Sequence, residues 1–210
     1  SRLTADELRI GGVHAGLVRI EGGSEVFSVL GRLSGDVVLA HGRIEVAGGF
    51  LDVAGGLLVG VERTGPARAS VLDVQGQSFV WARDLLVGPG SLVTTPLLEL
   101  SPEFRGLAPG VRVSGPCDLR GGSAVATDYF AQRTQATLRL SQFAGESPLM
   151  PLGAADIAGT LIMTFAPTFD PPLGSEFALL SADENVFGRW SVAYLPGLGD
   201  ARFLTIDYPE

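Results

Sequence analysis

The sequence predicts an all-β fold, a right-handed parallel β-helix (β-solenoid) closed by a C-terminal β capping module. Three observations support this prediction: a tandem pair of seven-residue tiles within residues 42–60, the return of Leu-Leu-Val-Gly after 28 residues, and 29 glycines distributed along 210 residues. Stacked coils of a solenoid produce such repeats, because each coil is one structural unit with its own strands and corners.

The two tiles cover residues 44–50 and 51–57, and each has an apolar, an acidic, an apolar and a small residue before a Gly-Gly pair. Alternation with period two places Ile44 and Val46 on one face of a strand and Glu45 on the other. A Gly-Gly pair adopts positive φ readily and turns the chain, whereas each glycine would cost a heptad helix about 1 kcal/mol. Each tile therefore predicts a short strand followed by a sharp corner.

The rest of the chain contains further short strand patterns separated by glycines. Leu-Leu-Val-Gly occurs at 57–60 and again at 85–88, with an Arg/Gly/Pro loop at 63–68 between the two copies. A β-sandwich is the alternative fold, but sandwiches rarely repeat their corner residues so literally. Additional strands are predicted at 8–10, 18–21, 26–30, 36–40, 71–76, 111–113, 124–126 and 136–140.

Two segments interrupt the repeats. Four prolines fall within residues 94–116, and because proline is excluded from central strands, this segment is predicted to be a loop or a protruding excursion. Aromatic residues and prolines become frequent from about residue 134. Because an exposed coil end is a template for aggregation that solenoids must cover, we divide the chain into β-helix repeats at 1–133 and an aromatic-rich β cap or assembly module at 134–210.

Charge and composition exclude several classes of partner. All 15 basic residues are Arg and the net charge is −8, so nucleic acid and anionic membranes are poor partners. No stretch of about eighteen uninterrupted apolar residues occurs, so no membrane span is predicted. The first residues have no signal-peptide core, and any export signal is expected to lie upstream or to have been removed. Cys117 is the single cysteine, and a buried, inert thiol is favoured over a disulfide between chains.

Metal-binding candidates are few. His14 and His41 are the two histidines and lie 27 residues apart, close to the 28-residue recurrence. Two stacked histidines can bind a metal, but no Cys or acidic triplet accompanies them, so surface or turn histidines are favoured. Asp183, Glu184 and Asn185 offer oxygen ligands for Ca²⁺ but lack the alternating acidic ladder of a calcium loop. A solvated turn is favoured there, and no metal site or cofactor is predicted.

Catalytic candidates are also few. Glu99 and Glu103 are a possible carboxylate pair beside the proline-rich excursion, and glycoside hydrolysis requires two carboxylates at a defined separation. Charges on the rim of a loop are the favoured interpretation of both residues. No GxSxG motif occurs, and no His lies near a plausible serine nucleophile. No catalytic residue is predicted, and the protein is expected not to be an enzyme.

The repeats and the C-terminal segments resemble known bacterial proteins. The run VAGGFLDVAGGLLVG, the return of LLVG and the segment GPGSLV at 88–93 resemble the glycine-rich repeats of autotransporter passenger-like surface β-helix proteins. Residues 157–161, 173–182, 188–192 and 195–196 resemble the closing segment of surface-exported, C-terminally sorted proteins. The resemblance covers nearly the whole chain. It implies a β-helix fold and an extracellular or cell-surface location in bacteria, and it implies no activity.

The first functional hypothesis is a non-catalytic extracellular structural protein, a self-associating β-helical subunit of a bacterial surface layer, fibre or appendage. An uncovered coil end leaves N–H and C=O groups that attract another chain, so a homo-oligomer or a filament is expected. Residues 1–20 are expected to contact the 134–210 module of the next copy. Other cell-surface proteins or polysaccharide are further expected partners.

The alternative hypothesis is a carbohydrate-binding or carbohydrate-cleaving β-helix, such as an adhesin or a polysaccharide lyase or hydrolase. The flanks of a solenoid form long grooves, and the 94–116 excursion would wall one of them. Trp81 and Tyr129 are candidate platforms for sugar stacking, although a core role is favoured for Trp81. Asn185 is the sole asparagine, so the chain has no Asn ladder of the kind found in some polysaccharide-active β-helices.

Overall fold

The computed structural model describes residues 7–10, 16–21, 29–33, 36–48, 50–61, 68–102, 108–151, 153–198 and 204–208, with backbone alone before residue 36. Within these ranges the protein is all-β and contains no helix, and hence no helix able to cross a membrane. The strands are β1 Glu7–Ile10, β2 Gly16–Glu21, β3 Val29–Leu33, β4 Asp36–Leu39, β5 Gly42–Ala47, β6 Phe50–Val59, β7 Ser70–Gln75, β8 Phe79–Val87, β9 Leu92–Leu100, β10 Gly110–Val113, β11 Cys117–Arg120, β12 Ala124–Gln132, β13 Thr137–Phe143, β14 Leu149–Pro151, β15 Ala155–Ile157, β16 Thr160–Phe165, β17 Val186–Gly188 and β18 Val192–Tyr194.

The described strands pair in parallel and form three stacks, as in a β-solenoid. The first stack contains β1, β4, the end of β6, the end of β8, β11, β13, β16 and β18. The second contains β2, β5, β7, the start of β9, the start of β12 and β14. The third contains β3, the start of β6, the start of β8, β10, the end of β9, the end of β12, β15 and β17. Long strands such as β6 and β8 pass from one stack into the next.

The alternation predicted for the tiles is confirmed. Ile44 and Val46 are buried in the core and Glu45 is half-buried on the other face of β5. The first corner is also as predicted, because Gly48 has a φ of 67°. The corner predicted at residues 55–56 is wrong in its detail, since β6 continues through both glycines with only a register shift. The chain bends there without positive φ.

The repeated Leu-Leu-Val-Gly segments lie directly on top of each other, which confirms that the 28-residue recurrence marks successive coils. Leu57 pairs with Leu85 and Val59 with Val87, and all four side chains are buried. The glycines that follow are also hydrogen-bonded between coils, since the Gly88 N–H donates to the Val59 carbonyl at 2.7 Å. The sequence repeat thus reflects repeated packing at one corner.

This corner gives a first prediction. A Cβ added at Gly88 would overlap the Gly60 carbonyl oxygen of the coil below, although Gly88 itself does not have positive φ. We expect Gly88→Ala to lower the free energy of unfolding by about 1–3 kcal/mol, because backbone must move to admit the methyl group. Gly197→Ala is the matched control, since nothing lies within 4 Å of its added Cβ. Urea unfolding followed by circular dichroism measures the difference. Equal urea midpoints for the two variants would contradict the close contact between Gly88 and Gly60 at this corner.

The proline-rich excursion is shorter than the predicted 94–116. Strand β9 continues to Leu100 and β10 covers Gly110–Val113, so both parts of this segment belong to the third stack, while residues 103–107 lie outside the described residues. Pro96 lies where β9 passes from the second stack to the third, and the register of β9 with β12 skips it. Proline is tolerated there because it interrupts no ladder hydrogen bond.

Strand β10 is out of chain order. It follows β9 along the chain but lies between the start of β8 and the end of β9 in the third stack. Backbone hydrogen bonds hold both ends of the insertion, from Gly110 to Ser78 at 2.8 Å and from Ser101 to Val113 at 2.9 Å. The third stack therefore gains one strand that a regular coil would not supply.

One apolar core runs inside the stacks from Val37 to Trp190. Cys117 belongs to it and is fully buried, as predicted. Burial, reinforced by the nearby Asp118 carboxylate, raises the pKa of the Cys117 thiol, so the thiolate is suppressed. Strands β11 and β12 pair with β13 and β14 across residue 134, and the proposed division of the chain at this residue stays a prediction.

Candidate functional site

Eight residues occupy matching register positions along the third stack, and five of them are charged. We call these eight residues the charged row. Each member is paired with the next on the neighbouring strand. In order along the stack they are Arg32, Asp52, Trp81, Arg112, Glu99, Ala131, Asp156 and Phe187.

Glu99 is the centre of an ion-pair chain in this row. Arg112 Nε donates to Glu99 Oε2 at 2.7 Å, and Arg133 Nε donates to Glu99 Oε1 at 3.3 Å. Arg133 Nη1 also reaches Asp156 Oδ2 at 3.2 Å. Glu99 is only 8% exposed and Arg112 only 4%, so this is a buried pair whose partners depend on each other. The prediction that Glu99 is a charge on a loop rim is wrong, because it lies within β9.

Aromatic side chains lie within and beside the charged row. Trp81 is half-buried and contacts Phe50 edge-on, with ring centroids 4.8 Å apart. Tyr129 lies on β12, and 37% of its surface is exposed. Tyr129 is therefore the more accessible of the two side chains predicted as sugar platforms, while Trp81 has a packing role.

The other sequence candidates do not form one site. Glu103 and His14 lie outside the described residues, so neither the carboxylate pair nor the histidine pair can be measured. His41 is half-buried, and its Nδ1 atom is buried without a hydrogen-bond partner. Asp183 and Glu184 are exposed in a turn. No group of three or more His, Cys, Asp or Glu suited to a metal ion occurs among the described residues.

A small, open cleft lies beside the corner between β11 and β12. Arg120, Ser123, Phe143 and Glu146 contribute to its lining, and the Ser123 hydroxyl is buried without a hydrogen-bond partner. Pockets for drug-sized ligands are usually about 300 Å³ or larger and more enclosed. This cleft is too small and too open to indicate a substrate site.

The last strands form a second candidate surface, which we call the C-terminal edge. It consists of β17 and β18, each of which pairs with one strand among the described residues, β15 and β16 respectively. Large apolar side chains are exposed on it: Phe187 by 54%, Val192 by 44% and Tyr194 by 61%. Strand edges and exposed apolar patches are features through which β proteins contact partners, so this edge is a candidate contact surface.

The segment around this edge is anchored to the core by hydrogen bonds. Trp190 Nε1 donates to Gln132 Oε1 at 2.9 Å, and the Gln132 side-chain amide donates to the carbonyls of Ala136 and Thr160. The Trp190 backbone N–H donates to the Tyr208 hydroxyl at 3.3 Å. A rigid anchor of this kind positions both β17 and β18.

Four phenylalanines pack together near the same end. Their ring centroids lie 5.1 to 6.4 Å apart, in mostly edge-to-face geometry. They are Phe143, Phe165, Phe169 and Phe177. These rings pack against the end of the apolar core, while Phe187 and Tyr194 remain outside the cluster.

Sequence reasoning missed Arg112 and Arg133 as partners of Glu99. Arg112 is 13 residues from Glu99 and Arg133 is 34 residues away, and the pairing depends on the displaced position of β10. The alternation Val111-Arg112-Val113 was a usable signal that Arg112 faces outward, but not that it meets Glu99.

The chain matches no protein-family model, and comparisons with curated proteins and with solved structures found no match.

Proposed function

We propose that the protein is a non-catalytic structural subunit of a bacterial surface layer, fibre or appendage, and that copies associate through the ends of the strand stacks. The observation that carries this proposal is the C-terminal edge. There, β17 and β18 each pair with a single strand in the part of the chain that the structure describes, and they expose Phe187, Val192 and Tyr194. A β-strand from another chain satisfies such an edge by adding main-chain hydrogen bonds.

The remaining parts of the proposal follow from chirality, packing and resemblance. We propose a right-handed coil, because parallel crossovers are right-handed in about 98% of cases. The phenylalanine cluster and Trp190 are proposed to close the core, leaving the strand edges available to a partner. The extracellular or cell-surface location is supported by the resemblance to exported bacterial β-helix proteins.

The ion pairs formed by charged side chains also favour a structural role. Both oxygens of Glu99 accept hydrogen bonds from arginines, and the Arg43 guanidinium is paired with Asp73. A carboxylate held by two guanidiniums is committed to structure rather than available as an acid or base. Phe187, Val192 and Tyr194 are instead exposed on the C-terminal edge.

Proline at Ala193 tests the proposed edge. Successive N–H groups of a strand point to opposite sides, and the Val192 N–H already points to the Gly159 carbonyl at 3.3 Å. The Ala193 N–H therefore points to the side of β18 on which no described strand pairs. We expect Ala193→Pro to reduce self-association by roughly tenfold or more while keeping the fold, because proline removes a donor only where a partner would bond.

Sedimentation velocity over a range of protein concentrations measures this effect. Circular dichroism and the urea midpoint check that the variant is folded. Leu173→Pro is the control, since Leu173 is exposed at the second position of a turn that the Ser175 N–H closes on the Pro172 carbonyl, where proline is tolerated. Wild-type association by the folded Ala193→Pro variant would contradict assembly through β18, and a monomeric wild-type protein at every concentration would contradict self-association altogether.

A second candidate function is carbohydrate binding on the outer face of the third stack. The observation that favours it is the exposed ring of Tyr129, which lies three strands from Trp81. Aromatic rings spaced along a flat β face suit stacking against an extended sugar polymer. A glycan array and acidic polysaccharides provide the test, and binding that Tyr129→Ala does not weaken would contradict a platform at this residue.

A further inference from the structure

The outer rows of the first and third stacks begin and end with complementary residue types. In the first stack, the row runs in unbroken register from Arg9 at β1 to Tyr194 at β18. In the third stack, the charged row runs from Arg32 at β3 to Phe187 at β17. Both rows thus start at an arginine position and finish at an exposed aromatic ring.

The two stacks also contain the same number of strands. A regular coil order would leave the third stack one described strand short of the first, because the last described strand, β18, lies in the first stack. The out-of-order strand β10 supplies the missing member, so each stack contains eight described strands. The displaced strand β10 therefore makes the number of described strands equal in the two stacks.

We propose, on the basis of the self-association proposed above, that a second copy docks head to tail with its β1 on β18 and its β3 on β17. Both strands bind in parallel and continue the two stacks. A shift of about 38 Å along the stack axis makes both contacts at once, because neighbouring strands are about 4.8 Å apart. The equal number of strands is what allows one rigid translation to satisfy both.

The chemistry of the contact favours this register. Arg9 of the incoming copy takes the position next to Tyr194, and Arg32 takes the position next to Phe187. An arginine beside an aromatic face forms a cation–π contact, and Arg is the preferred cation for it. Those N–H and C=O groups of β18 that face no described strand gain main-chain partners at the same time.

The same residues also favour a head-to-tail orientation of the two copies. A tail-to-tail arrangement would place Tyr194 and Phe187 against their own copies and would leave both arginine positions unused. The head-to-tail arrangement is heterologous, so it extends into an open filament unless the rotation closes a ring.

Paired cysteines test this register directly. Adjacent strands bring opposed residues about 4.8 Å apart, within the range of Cα separations that a disulfide bridges. We expect Arg9→Cys/Tyr194→Cys to form a ladder of covalent oligomers on a non-reducing gel after mild oxidation. Cys117 does not compete because it is fully buried. Arg9→Cys/Ile162→Cys is the register control, since Ile162 lies one strand below Tyr194 and its cysteine is out of reach.

A second pair, Arg32→Cys/Phe187→Cys, leaves the Arg9 and Tyr194 positions intact and covers the case in which the first substitutions weaken docking. Covalent ladders from either designed pair, with none from the control, support the proposed register. A wild-type protein that assembles while neither designed pair cross-links overturns this register and leaves the proposed function standing. A wild-type protein that stays monomeric overturns both proposals.

Discussion

Glu99→Ala is expected to lower the free energy of unfolding by about 3–5 kcal/mol. The substitution leaves the guanidinium of Arg112, which is 4% exposed, without the carboxylate that it contacts at 2.7 Å. It also removes the contact that joins Arg133 to β9. Breaking a buried pair from one side is costly because the remaining charge stays desolvated.

Urea unfolding followed by circular dichroism measures this loss. The double variant Glu99→Leu/Arg112→Leu is expected to recover most of it, because apolar replacement of both partners is often neutral. Arg83→Ala is the control, since Arg83 and Asp84 form an exposed pair worth about 0–1 kcal/mol. If Glu99→Ala is no worse than Arg83→Ala, the ion-pair chain does not hold β10 in place.

Phe130→Ala is expected to cost about 3–5 kcal/mol, because a fully buried ring leaves a cavity that the stacked strands cannot close. The neighbouring Tyr129 lies on the opposite face of β12 and is 37% exposed. Tyr129→Ala is therefore a matched control with an expected cost below about 1 kcal/mol. Similar urea midpoints for the two variants would contradict the assignment of inner and outer faces in the third stack.

Local sequence patterns predicted much of the fold. Alternation in residues 44–46 placed apolar side chains inside, and the return of Leu-Leu-Val-Gly identified successive coils, because a solenoid repeats its packing at each corner. The burial of Cys117 followed from the general tendency of free cysteines to be buried. These features depend on residues close in sequence or on literal repeats, and a single sequence displays both.

Features that depend on long-range pairing were not predictable. Pro96 appeared to exclude a strand, but it lies at a corner between two stacks where no ladder bond is needed. Nothing local in residues 110–113 indicates that β10 inserts beneath β9. The Glu99–Arg112 pair and the equal lengths of two stacks both follow from that insertion, so neither could be inferred before the pairing was known.

The central claim of this account is that copies extend the strand stacks end to end. Electron cryomicroscopy of the assembled wild-type protein tests it most directly. We expect strands perpendicular to the long axis, spaced about 4.8 Å apart, and one subunit every 38 Å or so along it. Assemblies with strands running along the axis, or subunits joined side by side, would contradict the claim.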